Sequence, residues 1–100
     1  MSTKQEIQFP LGQIVATPGA LEALRRNHTT GLDFLQRHSR GDWGIVCEED
    51  KQANNEALKS GARLLSAYFL PDETTLWIIT DAEDDKGNRA ATTMLLPDEY

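Results

Sequence analysis

The stretch from Ala62 to Leu96 decides most of what this chain can become. It reads ARLLSAYFL, PDETT, LWIIT, then the charged segment DAEDDKGNR, then AATTMLL. Two apolar runs meet across a short turn and a third follows an acidic loop, a pattern that predicts an antiparallel meander with strands at about 63–70, 75–81 and 90–96. Pro71-Asp72 opens the first turn, and Lys86-Gly87-Asn88 supplies residues tolerant of positive φ at the second. Because strand side chains alternate, Leu65, Ala67, Phe69, Trp77, Ile79 and one side of Thr93–Leu95 share one face. Leu64, Tyr68, Leu76, Ile78, Met94 and Leu96 share the other. Both faces are apolar, so at least one needs a cover, which the first sixty residues must supply. Three short helices cover one face only. The remaining face is expected to be closed by an N-terminal lid carrying Ile7, Phe9 and Leu11, or by a second copy in a homodimer.

The N-terminal half contains the helix signals. Ile7, Phe9 and Leu11 alternate with polar or small residues, and Pro10 among them fits an edge strand or a loop lying on the core. Gln13–Ala16 runs extended into a first helix, which Thr17 caps and Pro18 opens; Ala20, Leu21, Ala23 and Leu24 form its apolar face, ending near Asn27. Thr30-Gly31-Leu32-Asp33 fits a capping pattern for a second helix, with Leu32, Phe34 and Leu35 inward and Arg37 and Arg40 in the last turn. A third, polar helix spans 48–60, with acids first, Lys59 last and an inward stripe of Ala53, Ala57 and Leu58; Gly61 follows as its terminator. The fold class is therefore α+β: a three-stranded antiparallel meander, with an optional N-terminal edge strand, packed against three short helices.

One hundred residues suit a single domain, 1–100, with 1–6 and 97–100 as tails. No apolar run approaches the roughly 18 residues of a membrane span, and the N-terminus lacks the apolar core of a secretory signal. The lone Cys47 cannot form an intrachain disulfide, so a bacterial cytoplasmic location is the default expectation. Net charge is −6 and unevenly placed: residues 1–45 hold five basic and four acidic side chains, for +1, and residues 46–100 hold five and twelve, for −7. Nucleic-acid binding requires a basic face. Only Arg25, Arg26, Arg37 and Arg40 could offer one, so direct nucleic-acid binding is not expected.

Four groupings bear on chemistry. An EF-hand count from Asp81 gives Asp81, Glu83 and Asp85 at positions 1, 3 and 5 but Lys86 where Gly is required and Thr92 where Glu is, so a solvated tip is expected and no metal. Cys47 with His38 and Asp42 has the composition of a thiol–base–acid set, but spacing supplies no geometry, and a single free Cys is more often a small buried apolar residue. His28 and His38 lack a second Cys to complete a zinc site. Gly41-Asp42-Trp43-Gly44, just after Arg37 and Arg40, reads either as a partner-binding patch built from Arg37, Arg40, Asp42 and Trp43, or as Trp43 plugging the core between the second and third helices. The core plug is favoured. No cofactor motif is present.

The runs FPLGQIVATPGALEAL, GDWG, LLSAY, LWIIT and LLPDEY together resemble a family of small bacterial proteins described as plasmid-related, some tied by label to the modification subunit of type I restriction enzymes. The resemblance spans roughly residues 8–100. It implies a compact protein of plasmids and other mobile elements and supplies no catalytic residues. The restriction label does not extend to methyl transfer, because Pro occurs only at 10, 18, 71 and 97 and the motif that holds a target amino group needs a Pro pair. A Gly-containing methyl-donor loop is missing as well. The expected function is that of a non-enzymatic accessory protein of a mobile element acting through a protein partner. The alternative is an acidic inhibitor of a nucleic-acid-binding host defence protein, with an unrecognised small enzyme third.

Overall fold

The computed structural model describes residues 6–100, so the expected tail at 1–6 lies, except for Glu6, outside the described residues. Four strands, Gln13–Ala16 (β1), Leu64–Phe69 (β2), Thr75–Thr80 (β3) and Ala91–Leu95 (β4), form one sheet in the order β1-β4-β3-β2. The expected meander is β2-β3-β4. Trp77 stands opposite both Ala67 and Leu95, and Thr80 opposite both Leu64 and Thr92. The edge strand forms at Gln13–Ala16, and residues 7–11 are not a strand. It runs parallel to β4, aligning Gln13 with Ala91 and Ala16 with Met94, so the sheet is mixed and not purely antiparallel.

The long connection from β1 to β2 must travel from one edge of the sheet to the other. It carries all three helices, Pro18–Arg26 (α1), Leu32–Ser39 (α2) and Glu48–Ser60 (α3). Beneath them one sheet face is sealed: Leu64, Ser66, Tyr68, Leu76, Ile78, Thr80, Thr92 and Met94 are all at most 5% exposed. Ala20, Ala23 and Leu24 from α1 and Leu35 from α2 close over Tyr68, Leu76, Ile78 and Met94. A second cluster joins Phe9, Trp43, Ala57 and Leu64.

Helix entry follows the sequence at α1, where Thr17 Oγ1 accepts from the Ala20 amide at 3.1 Å and Pro18 occupies the first turn. At α2 the expected Thr30 cap is displaced. Gly31 is the cap residue, with φ 85° and no side-chain bond, and Leu32 points outward at 57% exposure. Leu35, with Phe34 half-buried, keeps the inward side expected for it, and His38 and Ser39, one turn further on, complete that side in place of Leu32. On α3, Ala53 is exposed, and Asn54 with Ala57 forms the buried side.

The N-terminal lid is also corrected. Phe9 stacks on Trp43 and meets the His38 ring edge-on at 5.1 Å, placing it within the helix layer on the sealed face. Residues 97–100, expected as a tail, turn back instead. Pro97–Glu99 form a 3-10 turn, and the Glu99 carboxylate accepts from the Thr17 hydroxyl and from the Gly19 amide at 2.9 Å. A negative group is favoured there by the amides opening α1.

Candidate interaction surface

The face away from the helices stays open. Register aligns Leu65, Ile79, Thr93 and Val15 in one row across all four strands, and Ala67, Trp77 and Leu95 in the next. Ala67 and Leu95 are buried at 5% exposure, Leu65, Trp77, Ile79 and Thr93 are half-buried, Val15 is exposed, and Phe69 is 58% exposed, so the face is open mainly along the Leu65–Val15 row and at Phe69. The cover present is modest: Tyr100 packs edge-on to Trp77 at 5.7 Å, and the Arg63 guanidinium lies 5.8 Å from the Tyr100 ring centre. The turns at the ends of the face are acidic. Asp72 and Glu73 occupy the β2–β3 turn, and Asp81, Glu83, Asp84 and Asp85 the β3–β4 loop. Asp72 titrates down at about 2, held first by hydrogen bonds from Thr74 and then from Asn27 and Arg26.

The Arg37, Arg40, Asp42 and Trp43 group is brought together only in part. Trp43 is a core residue, 4% exposed, with its indole Nε1 donating to Asn55 at 3.1 Å. Arg37 Nε donates to Asp42 Oδ2 at 2.7 Å while its guanidinium stacks 4.6 Å over Tyr68, whose hydroxyl donates to the Asp42 carbonyl at 2.6 Å. The Arg37 bond holds the Asp42 carboxyl below its usual range and raises Arg37. Arg40 is half-buried. The group therefore braces the Gly41–Gly44 loop, and its aromatic member faces inward.

His38 carries the least expected arrangement. It is fully buried, with Nδ1 2.5 Å from Ser66 Oγ and Nε2 2.8 Å from Thr80 Oγ1. Thr80 Oγ1 lies 2.7 Å from Thr92 Oγ1, which donates to the Leu11 carbonyl at 2.7 Å. A carbonyl can only accept. That end point orients the whole chain: Thr80 donates to Thr92, His38 Nε2–H donates to Thr80, and Ser66 donates to His38 Nδ1. The histidine is neutral, and burial followed by the Arg89 charge lowers its pKa to about 4. Ser66 donating to an imidazole has the form of a nucleophile–base pair. Both side chains are fully buried, however, so no substrate can reach the pair, and the network ties α2, three strands and the N-terminal segment together.

Cys47 is exposed at the start of α3, away from this buried chain. In the acidic loop, Asp84 Oδ1 accepts the Lys86 and Asn88 amides at 2.8 and 2.9 Å, which is turn formation. Among the described residues no group of three or more His, Cys, Asp or Glu side chains is placed to hold a metal ion. Arg89, part of the charged segment by sequence, is buried. Its Nη1 donates to the Ala62 and Asp81 carbonyls at 2.7 and 2.9 Å, and its Nη2 donates to the Ala57 carbonyl in the last turn of α3 at 3.2 Å.

Fold and surface together define a small α+β domain with a mixed four-stranded sheet, one face sealed by helices and the other open. Comparison with protein-family models, with curated proteins and with solved structures finds no match. No helix among the described residues is long and apolar enough to cross a membrane.

Proposed function

We propose that this protein acts by protein–protein contact, without chemistry of its own, as an accessory protein of a plasmid or other mobile element, and that the open sheet face is its contact surface. The observation that carries this reading is the row of Leu65, Ile79, Thr93 and Val15 beside Trp77 and Phe69, an apolar sheet surface of the kind that marks interaction sites. Aromatics exposed on strands can also stack nucleic-acid bases. The −7 carried by residues 46–100 argues against that use here.

The acidic turns at the ends of the face favour a partner with basic margins around an apolar centre. This supports the second reading, an inhibitor that occupies the nucleic-acid-binding surface of a host defence protein. Photo-crosslinking tests both. A photoreactive residue at Ile79 should capture a defined protein in the native host, while one at Leu21, on the exposed side of α1, should not. Capture that weakens steeply with salt favours the basic partner. Equal capture from both positions would contradict the assignment of the face.

A further inference from the structure

The two edges of the sheet are treated in opposite ways. At β2 the outward polar groups of Leu65 and Ala67 are all occupied. The Asn54 amide donates to the Leu65 carbonyl at 2.7 Å and accepts its N–H at 3.0 Å. The Ala67 N–H donates to the Trp43 carbonyl at 3.1 Å, and the Ala67 carbonyl accepts from Ile45 at 2.8 Å. At β1 nothing comparable is present among the described residues. Gln13 and Thr17 donate to Ala90 and Met94, so odd-numbered residues face β4 and Ile14 and Ala16 turn their N–H and C=O groups outward. An open edge of this kind is a template for another strand.

Beside that edge lies an apolar groove of about 360 Å³, lined by Ile7, Pro10, Ile14, Leu32 and Leu35. Three of these are well exposed: Ile7 at 68%, Leu32 at 57% and Ile14 at 43%. Charge selects the occupant. From Ile7 to Leu21 the chain has no Asp, Glu, Lys or Arg, although charged residues make up 26% of the whole. Gln36 and Ser39, the polar residues of its lining, are uncharged too. A second copy, also at −6, is repelled wherever acids face acids and meets no such penalty on this strip. A charged partner would gain nothing from it.

We propose that two copies of this chain pair through β1, antiparallel across a two-fold axis at Val15, to give a continuous eight-stranded sheet. In this register Ile14 of one copy and Ala16 of the other exchange both backbone hydrogen bonds, and the symmetric pair does the same. Val15 faces its own counterpart on the open side of the sheet. Four backbone bonds alone would hold a dimer weakly, and the adjoining groove supplies the apolar area. Gly12, whose φ of +67° breaks the strand, limits pairing to these residues.

Light scattering on the full chain at about 100 µM, a concentration that populates even a weak dimer, should give twice the 11.2 kDa chain mass. Val15→Glu and Val15→Lys should each be monomeric with unchanged circular dichroism, and their mixture should recover the dimer. Ile79→Lys, on the open face, should leave the dimer intact. As a check that does not depend on a charged variant folding, Val15→Cys in a Cys47→Ser background should form an intermolecular disulfide under mild oxidation, which the short separation across a non-hydrogen-bonded pair permits. A native monomer overturns the proposal. So does a dimer that survives Val15→Glu but is lost in Ile79→Lys, which would place self-association on the open face. A monomer that dimerises only after removal of residues 1–5 would assign the edge to that segment.

Discussion

His38 ties α2 to the sheet from a fully buried position. Its ring is held neutral between a donating Ser66 and an accepting Thr80, and its pKa falls to about 4 from an ordinary 6.5. The sign of the pH effect follows directly. The unfolded chain binds the proton below about pH 6.5, whereas the folded chain resists it until about pH 4. Stability is therefore complete above the first value and drains as pH falls through the second, by about 3 kcal/mol in all. Urea melts at pH 7, 5.5 and 4.5 should show this slope in the native chain and a shallower one in His38→Gln; equal slopes would remove His38 as the source. Arg89 works at the same scale. Replacing it with Met leaves the Ala62 and Asp81 carbonyls without this donor and takes one of two donors from the Ala57 carbonyl, which keeps the Gly61 amide, and should cost about 2–4 kcal/mol in a denaturant melt. Neither role was legible in the sequence. His38 and Arg89 lie in runs of charged and polar residues, and only the register that brings Ser66, Thr80 and Thr92 under α2 gives such residues a reason to be inside.

At the scale of elements, the apolar runs specified their strands because alternation and turn residues agreed at every step from Leu64 to Leu95. The parallel partner was not legible: Gln13–Ala16 is four residues long, and its pairing depends on where three helices deliver the chain, a non-local outcome. Protection of the β2 edge was hidden for the same reason. Asn54 looks like one more polar residue in a polar helix, yet it occupies the place a further strand would take. Asn54→Ala strands the Leu65 N–H and carbonyl and should destabilise by about 1–3 kcal/mol. Gly44 sits at φ +79°, and a Cβ there would drive into the Ala67 carbonyl oxygen. Gly44→Ala should cost about 2 kcal/mol or more and raise aggregation as the edge loosens. Thermal melts with turbidity readout check both variants, and a neutral effect of either would mean that the edge is closed by something else.

Taken whole, the molecule divides its work by face. Helices, buried hydroxyls and the inward Trp43 all serve one side of the sheet, leaving the other to the solvent or a partner. The two apolar faces were readable from the alternation of residues 64–96. Which face is sealed was not, since the choice rests on the path of the β1–β2 connection. The Trp43 patch was legible in composition but not in direction, because a Trp between glycines can turn either way. Among the described residues, three of the four arginines of the helical half are paired with acids: Arg25 with Glu22, Arg26 with Asp72 and Arg37 with Asp42. Duplex DNA should therefore not bind at physiological salt with a dissociation constant below about 1 µM, the tight end of non-specific affinity. A gel shift at that concentration would test this, and a clear shift would contradict it.

Whether the open face is a contact surface or an uncovered part of the core is decided by Trp77→Lys/Ile79→Lys, measured for stability and partner capture together. For a contact surface the double variant should unfold within about 1 kcal/mol of the native chain, as substitutions outside the core do, and should lose the protein captured through position 79. Capture retained at native strength, or a collapse of stability with partner binding unaffected in the molecules that still fold, would mean that the face is not a contact surface, and the collapse would make it part of the core.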